Sequence, residues 1–212
     1  EKEKQYSEEG KTVIWVGDEK QVMGIIALAD EIKADSKQVV AELKQQGIDA
    51  VMITGDHAIT AQAIAKKAGI QHVIAQVLPD GKAREIERLQ RQGKKVAMVG
   101  DGINDAVALT QSDVGIAIGS GSDVAVESAD VVLVKDSLQD VLTCIRISKA
   151  VIRNIKQNLF WAFFYNSLGI PVAAGLLYCF GGPLLSPVFA GAAMAFSSVS
   201  VVTNALRVRK LK

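Results

Sequence analysis

The sequence predicts an α/β domain, a Rossmann-like parallel sheet with helices on both faces, followed by a transmembrane helical hairpin. Short apolar runs alternate with helix-spaced segments from Val22 to Gln157, the pattern of a mostly parallel sheet covered by helices. From Asn158 to Leu206 there is no Asp, Glu, Lys or Arg, whereas a soluble helix of that length carries a polar face. Gly181, Gly182 and Pro183 divide this stretch in two, and each half is close to the ~20 apolar residues that cross a bilayer core. The competing reading is a buried core hairpin of a soluble protein.

The elements follow in order. After a charged start, Thr12 to Val16 reads as one strand with no evident partner. Val22 to Ala29 lacks clear alternation and reads as a buried strand. Ser36 to Gln46 has helical spacing through Val39, Val40 and Leu43, and Gly47 closes it. Ala50 to Ile53 is a strand, Ala58 to Ala68 a helix ended by Gly69, and Val73-Ile74 a short strand. Pro79 to Arg91 is a helix with proline in its first turn. Val96 to Val99 is a strand, Asp105 to Thr110 a short helix, and Val114 to Ile118 a strand. Ser122 to Glu127 makes a helical turn, Val131 to Val134 the last strand, and Ser137 to Gln157 a long helix that runs toward the first span. The spans are expected at about 158–180 and 184–206.

Composition narrows the class. The 212 residues hold 24 Lys and Arg against 23 Asp and Glu, a net charge of +1, which excludes a strongly basic nucleic-acid binder. Cys144 and Cys179 form no CxxC pair and predict no disulfide framework. The first residue is Glu1, as in a processed product or a piece of a longer protein. Arg146, Lys149, Arg153 and Lys156 precede the first span, and Arg207, Arg209, Lys210 and Lys212 follow the second, with no charge in the connecting loop. Positive charge inside then makes both ends of the hairpin, and the soluble domain, cytoplasmic. Trp161, Phe163, Phe164 and Tyr165 are either interfacial anchors or contacts to other helices.

Three strand ends carry polar groups suited to phosphate chemistry, as expected where a parallel sheet binds its ligand. Thr54-Gly55-Asp56 follows Val51-Met52-Ile53. A threonine hydroxyl and neighbouring backbone N–H groups hold phosphoryl oxygens, although the triplet alone also reads as a strand-to-helix turn with an Asp cap. Gly100-Asp101-Gly102-Ile103-Asn104-Asp105 puts two carboxylates and an amide on one turn. Mg²⁺ takes such hard oxygens and keeps several waters; the bland alternative is a solvated acid pair. Lys82 lies in the first turn of the Pro79 helix, where its ammonium either reaches a phosphate or is simply solvated.

Together the strings Met52-Ile53-Thr54-Gly55-Asp56 and Gly100-Asp101-Gly102-Ile103-Asn104-Asp105-Ala106, with Ser112-Asp113-Val114-Gly115-Ile116-Ala117-Ile118-Gly119, resemble the haloacid-dehalogenase phosphoryl-transfer core, and more specifically the P-type cation pumps. The resemblance runs from about Gly24 onward. It implies a pump driven by ATP through an aspartyl-phosphate, with Mg²⁺ as cofactor. Thr54 would hold the phosphoryl group, Lys82 offset its charge and Asn104 support it. Gly55 and Asp56 would serve catalysis and ATP binding, and Asp101 and Asp105 would position Mg²⁺.

The family's Asp-Lys-Thr-Gly-Thr, Thr-Gly-Glu and Cys-Pro-Cys motifs are absent, as is the His-Pro pair, since His57 precedes Ala58 and His72 precedes Val73. The chain is therefore expected to be the C-terminal part of a longer pump and inactive alone. Residues 1–17 would be the tail of the nucleotide domain, 18–145 the phosphorylation domain and 146–212 the membrane region. The implied partners are the lipid bilayer, the N-terminal remainder of the pump and a cytosolic copper chaperone, with no nucleic acid.

The family contains pumps for light and heavy cations, and the charge-free hairpin discriminates among them. Pumps for harder dications call for membrane carboxylates. Tyr165-Asn166, and Met194 with Ser197-Ser198, are similar to the copper(I)-transporting subclass. A thioether suits Cu⁺, and that resemblance implies Tyr165, Asn166, Met194 and Ser198 as cargo ligands. Met194 as gap-filling core and Ser198 as a helix contact are the plain alternatives. Two other functions compete. One is a membrane-anchored phosphatase of the same fold with Asp30 as nucleophile, although Ile32 stands where a second acid is usual. The other is a catalytically inactive module.

Overall fold

The computed structural model describes residues 2–18, 21–29, 32–101, 103–119, 123–183 and 186–210. Asp30 and Gly102 lie outside the described residues. The chain divides into two units, Glu1–Leu142 and Thr143–Lys212.

The first unit opens with helix α1 (Lys2–Glu8), which sequence reading passed over as a charged start. Strand β1 (Lys11–Gly17) then pairs antiparallel with β2 (Val22–Ala29), from Lys11 opposite Ala29 to Val16 opposite Gly24. The strand expected to lack a partner thus finds one across a short turn, in which Asp18 accepts from the Gln21 N–H at 2.8 Å. Helix α2 (Ser36–Gln45), β3 (Val51–Ile53), α3 (Ala58–Ala68), β4 (His72–Ile74) and α4 (Pro79–Arg91) follow. Gly69 ends α3 at φ 80°, a left-handed conformation that glycine adopts without a Cβ penalty. Strand β5 (Ala97–Gly100), a 3-10 turn (Ile103–Asp105), α5 (Ala106–Gln111), β6 (Val114–Ile118), α6 (Asp123–Ser128) and β7 (Val131–Leu133) complete the alternation.

Among the described residues the strands form three small sheets. β3 and β4 pair parallel, and β5, β6 and β7 pair parallel in that order. Among the described residues, β3 and β5, the strands that lead into the two principal motifs, each pair with a strand on one side only. Ile86, Leu109 and Leu142 are the largest fully buried side chains, and Ala61, Ala65, Ala108, Ala117 and Ile118 are also buried. Small residues on α3 and α5 let helices approach the sheets closely, and each buried CH₂ contributes about 0.8 kcal/mol.

Helix α7 (Gln139–Ala173) opens in the first unit, with Val141 and Leu142 buried, and continues in the second. Its start is fixed by a residue far away in sequence. Asp35 accepts from the Ser137 hydroxyl at 2.9 Å and from the Gln139 N–H at 3.2 Å, which satisfies a first-turn N–H that no intrahelical carbonyl can reach. Lys33 and Asp136 pair beside it.

The second unit revises the expected hairpin. Among the described residues no helix is long and apolar enough to cross a membrane. The expected first span is divided: α7 ends at Ala173, Gly175 turns the chain at φ 95°, and α8 (Leu176–Cys179) follows. Within α7 the stretch after Lys156 carries Asn158, Asn166, Ser167 and Pro171, which dilute its apolarity. Helix α9 (Pro187–Leu206) has 20 residues without charge but includes Ser197, Ser198, Ser200, Thr203 and Asn204. Ser186 caps it by accepting from the Val188 N–H at 3.3 Å.

Candidate functional site

The phosphate-type residues sit where strands give way to helices. After β3, the Thr54 N–H donates to the Ile74 carbonyl at 3.0 Å and the Val77 N–H donates to the Thr54 carbonyl at 3.0 Å, so the turn is laced to the loop after β4. The Thr54 hydroxyl donates to Asp56 Oδ2 at 2.8 Å, and the Asp56 N–H donates back to Thr54 Oγ1 at 3.2 Å. This reciprocal pair fixes the hydroxyl's position, and both residues are half-buried. Gly55 between them is exposed. Gln76 takes a left-handed φ of 58° so that its N–H reaches the Asp56 carbonyl at 2.9 Å.

The second motif is tighter. Asp105 is 8% exposed, and its Oδ1 accepts from Lys82 Nζ at 2.6 Å. Two residues that sequence reading assigned to different ligands therefore meet each other. Gly100 makes this possible: a Cβ there would fall 2.8 Å from Asp105 Oδ2 and 2.9 Å from its Cγ. Removing either partner of so enclosed a pair would strand the other charge, which costs far more than the pair contributes when intact. Asp101 and Asn104 are exposed on the same turn.

The next strand start holds a residue that sequence reading quoted without a role. Asp113 accepts from Lys95 Nζ at 2.7 Å, from the Val96 N–H at 3.0 Å and from Gln90 Nε2 at 3.2 Å. Chiefly through the Lys95 bond, and then the Val96 and Gln90 bonds, its carboxyl is held at about 2, below the ordinary 3.8. Asp130 similarly accepts from the Gly115 N–H at 2.8 Å. A Cβ on Gly115 would meet the Leu109 carbonyl oxygen at 2.8 Å, so glycine is required for α5 to lie this close to β6. Both acids set strand register behind the site.

In the second unit the four expected cargo ligands have separate surroundings. Asn166 Nδ2 donates to the Ala162 carbonyl at 3.0 Å, and the Ser198 hydroxyl to the Met194 carbonyl at 3.1 Å, each bond staying within its own helix. The Met194 side chain is exposed. Tyr165 lines a cleft of about 360 Å³ between α7 and α9, together with Asn158, Trp161, Ser200 and Asn204. Below it runs an amide network that sequence reading missed. Asn154 Nδ2 donates to the Asn204 carbonyl at 2.7 Å, Asn204 Nδ2 to Asn158 Oδ1 at 2.8 Å, and Asn158 Nδ2 to Asn154 Oδ1 at 3.1 Å. The available signal was two amides four residues apart on one helix face, where the charged part of α7 gives way to its charge-free part. Among the described residues no group of three His, Cys, Asp or Glu side chains is gathered for a metal.

Strands alternate with helices, the Thr54 turn and the enclosed Lys82–Asp105 pair lie at strand ends, and residues 1–113 match the model of the haloacid dehalogenase-like hydrolases. The chain belongs to that family. Over 97% of its length it is 58% identical to a probable copper-transporting ATPase of Synechocystis, and over 89% it is 61% identical to a copper-exporting P-type ATPase of Vibrio cholerae. It spans only 28% and 20% of those two relatives. Among solved structures, a zinc-transporting PIB-type ATPase in its E2·Pi state superposes with a TM-score of 0.80 at 35% identity, covering 96% of this chain and 32% of that one.

Proposed function

We propose that the chain is the C-terminal part of an ATP-driven copper(I) export pump that cycles through an aspartyl-phosphate on an Asp outside this chain. The enclosed Lys82–Asp105 pair on the Gly100 turn carries the reading. It holds a cation and a carboxylate ready at a strand end, where a phosphoryl group is bound and its charge offset. Thr54 presents a hydroxyl to a phosphoryl oxygen, Gly55 and Asp56 shape the turn toward nucleotide and phosphate, and Asn104 adds an amide donor. Asp101 and Asp105 suit Mg²⁺, because both supply hard oxygen and Asp105 is already fixed in place. When bound, Mg²⁺ contributes positive charge to the phosphoryl oxygens. The open edges of β3 and β5 offer the upstream part of the pump, with its phosphorylated Asp, a place to pair.

In this reading residues 1–17 are the tail of a nucleotide domain, residues 18–145 the phosphorylation domain and residues 146–212 the membrane region. The β1–β2 ladder is then the bond between the first two. Membrane insertion is supported by the charge-free stretch Asn158–Leu206 with Lys and Arg at both ends. Exposed Phe163, Leu168, Ile170, Phe180, Met194 and Phe196 also require an apolar cover, whether lipid or further pump helices. The soluble domain and both ends of the hairpin are cytoplasmic.

Copper rather than zinc is favoured by the absence of any carboxylate beyond Asp140. It is favoured too by the higher identity to the copper-transporting relatives than to the zinc-transporting structure. Tyr165, Asn166, Met194 and Ser198 supply neutral donors, and the absent Cys-Pro-Cys would supply thiolates. The test uses the full-length pump. Met194→Ala and Asn166→Ala are each expected to lose Cu⁺-stimulated ATP turnover, with Zn²⁺ stimulating neither variant nor parent. Wild-type Cu⁺ dependence in both variants, or stronger stimulation of the parent by Zn²⁺, would remove the copper assignment.

A further inference from the structure

We propose that one face of α7 binds an anionic phospholipid, its headgroup on Arg153 and Lys156 and its upper acyl chain along Phe160 and Trp161. These side chains, with Lys149 and Ile152, border an open groove of about 770 Å³. Lys149, Arg153, Lys156 and Phe160 follow spacings of four, three and four, which align them in one stripe about 16 Å long.

The stripe is cationic at one end and aromatic at the other. Phe160 stacks on Phe164 at 5.9 Å and stays 60% exposed, while Trp161 meets Tyr165 at 6.0 Å. Arg153 and Lys156 are exposed. No Asp or Glu follows Asp140, so Thr143–Lys212 holds eight Lys and Arg and no acid. No carboxylate side chain of this unit can therefore compete with an external anion for Arg153 and Lys156.

Charge alone would admit inorganic phosphate or an acidic protein segment. The apolar half of the same stripe selects an amphiphile with an anionic head, and at a cytoplasmic membrane surface that is an anionic lipid. The inference rests on the reading that α7 enters the bilayer.

The full-length pump, in wild-type form and as Arg153→Gln/Lys156→Gln, is equilibrated with mixed phosphatidylglycerol and phosphatidylcholine micelles, and retained lipid is read by native mass spectrometry. Wild type is expected to retain phosphatidylglycerol preferentially. The variant should lose it by about fivefold per charge removed, roughly thirtyfold for the pair, with phosphatidylcholine unchanged. A Lys37→Gln/Lys94→Gln control should retain it as wild type does. Excess inorganic phosphate should fail to displace it; displacement would make the groove a phosphate site and overturn the proposal. Equal retention by wild type and variant would also overturn it, as when another part of the pump covers this face. The reading that α7 enters the bilayer is tested separately with Gly182→Cys in a background lacking Cys144 and Cys179: labelling by an impermeant thiol reagent only after permeabilisation would remove that reading, and this inference with it.

Discussion

The two units of the chain differ in charge and in how far their polar side chains reach. Glu1–Leu142 carries sixteen Lys and Arg and all twenty-three acids, a net −7, whereas Thr143–Lys212 carries eight Lys and Arg and no acid, a net +8. In the first unit, beside local helix bonds such as Thr110 to Ala106 and Ser128 to Val124, several polar groups reach across the sequence, Lys82 to Asp105, Asp113 to Val96 and Asp35 to Gln139. In the second, Asn166, Ser198 and Thr203 bond the backbone of their own helix. A side chain fixed by a distant segment is positioned by the fold, while one bonded to its own helix waits for a neighbour. On the proposed function, the first unit would build most of the phosphoryl site, and the second would supply positions whose partners lie in the rest of the pump. The amide network of Asn154, Asn158 and Asn204 is the exception, since it ties α7 to α9.

This contrast predicts a graded set of responses. The largest belongs to Asp105. Asp105→Ala in the full-length pump should abolish phosphoenzyme formation from ATP. In the isolated chain, by leaving Lys82 enclosed without its partner, it should cost about 3 kcal/mol in urea unfolding. Phosphoenzyme at wild-type level would show that the pair is only structural.

A smaller effect is expected for Asn204→Ala. One interhelical amide contact contributes about 0.6–1.7 kcal/mol in a bilayer setting. The variant should therefore unfold slightly earlier in detergent while phosphoenzyme formation is kept. Loss of phosphorylation would break the division between the units.

The smallest response is to pH, at Asp113. Its carboxyl is depressed, so the Lys95, Val96 and Gln90 bonds contribute stability above the ordinary 3.8, and that contribution is lost as pH falls toward about 2. Thermal midpoints of wild type and Asp113→Asn should converge over that window. A constant gap down to about pH 2 would mean that Asp113 stays protonation-independent there.

The alternation of strand and helix was legible because its signals are local. Pro79 opens α4, and Gly69 closes α3. The partner of β1 was not legible, because the antiparallel ladder depends on a turn that hydrophobic periodicity does not report. At the site, sequence identified Thr54, Lys82 and Asp105 as chemistry-bearing residues. The Lys82–Asp105 contact spans 23 positions and depends on a glycine with no room for a methyl group, which only three-dimensional packing reveals. The division of the expected first span at Gly175 escaped notice because a charge-free run says nothing of φ.

The half-paired strands β3 and β5 bear on how the chain behaves outside its parent protein. Their open edges are formed by Val51-Met52-Ile53 and by Ala97-Met98-Val99, with no lysine, proline or bulge to discourage pairing. Such edges template any strand that arrives, including one from a second copy. Produced alone at high concentration, the fragment is poised to polymerise through its sheet edges, and its colloidal stability will depend on whatever strand occupies them.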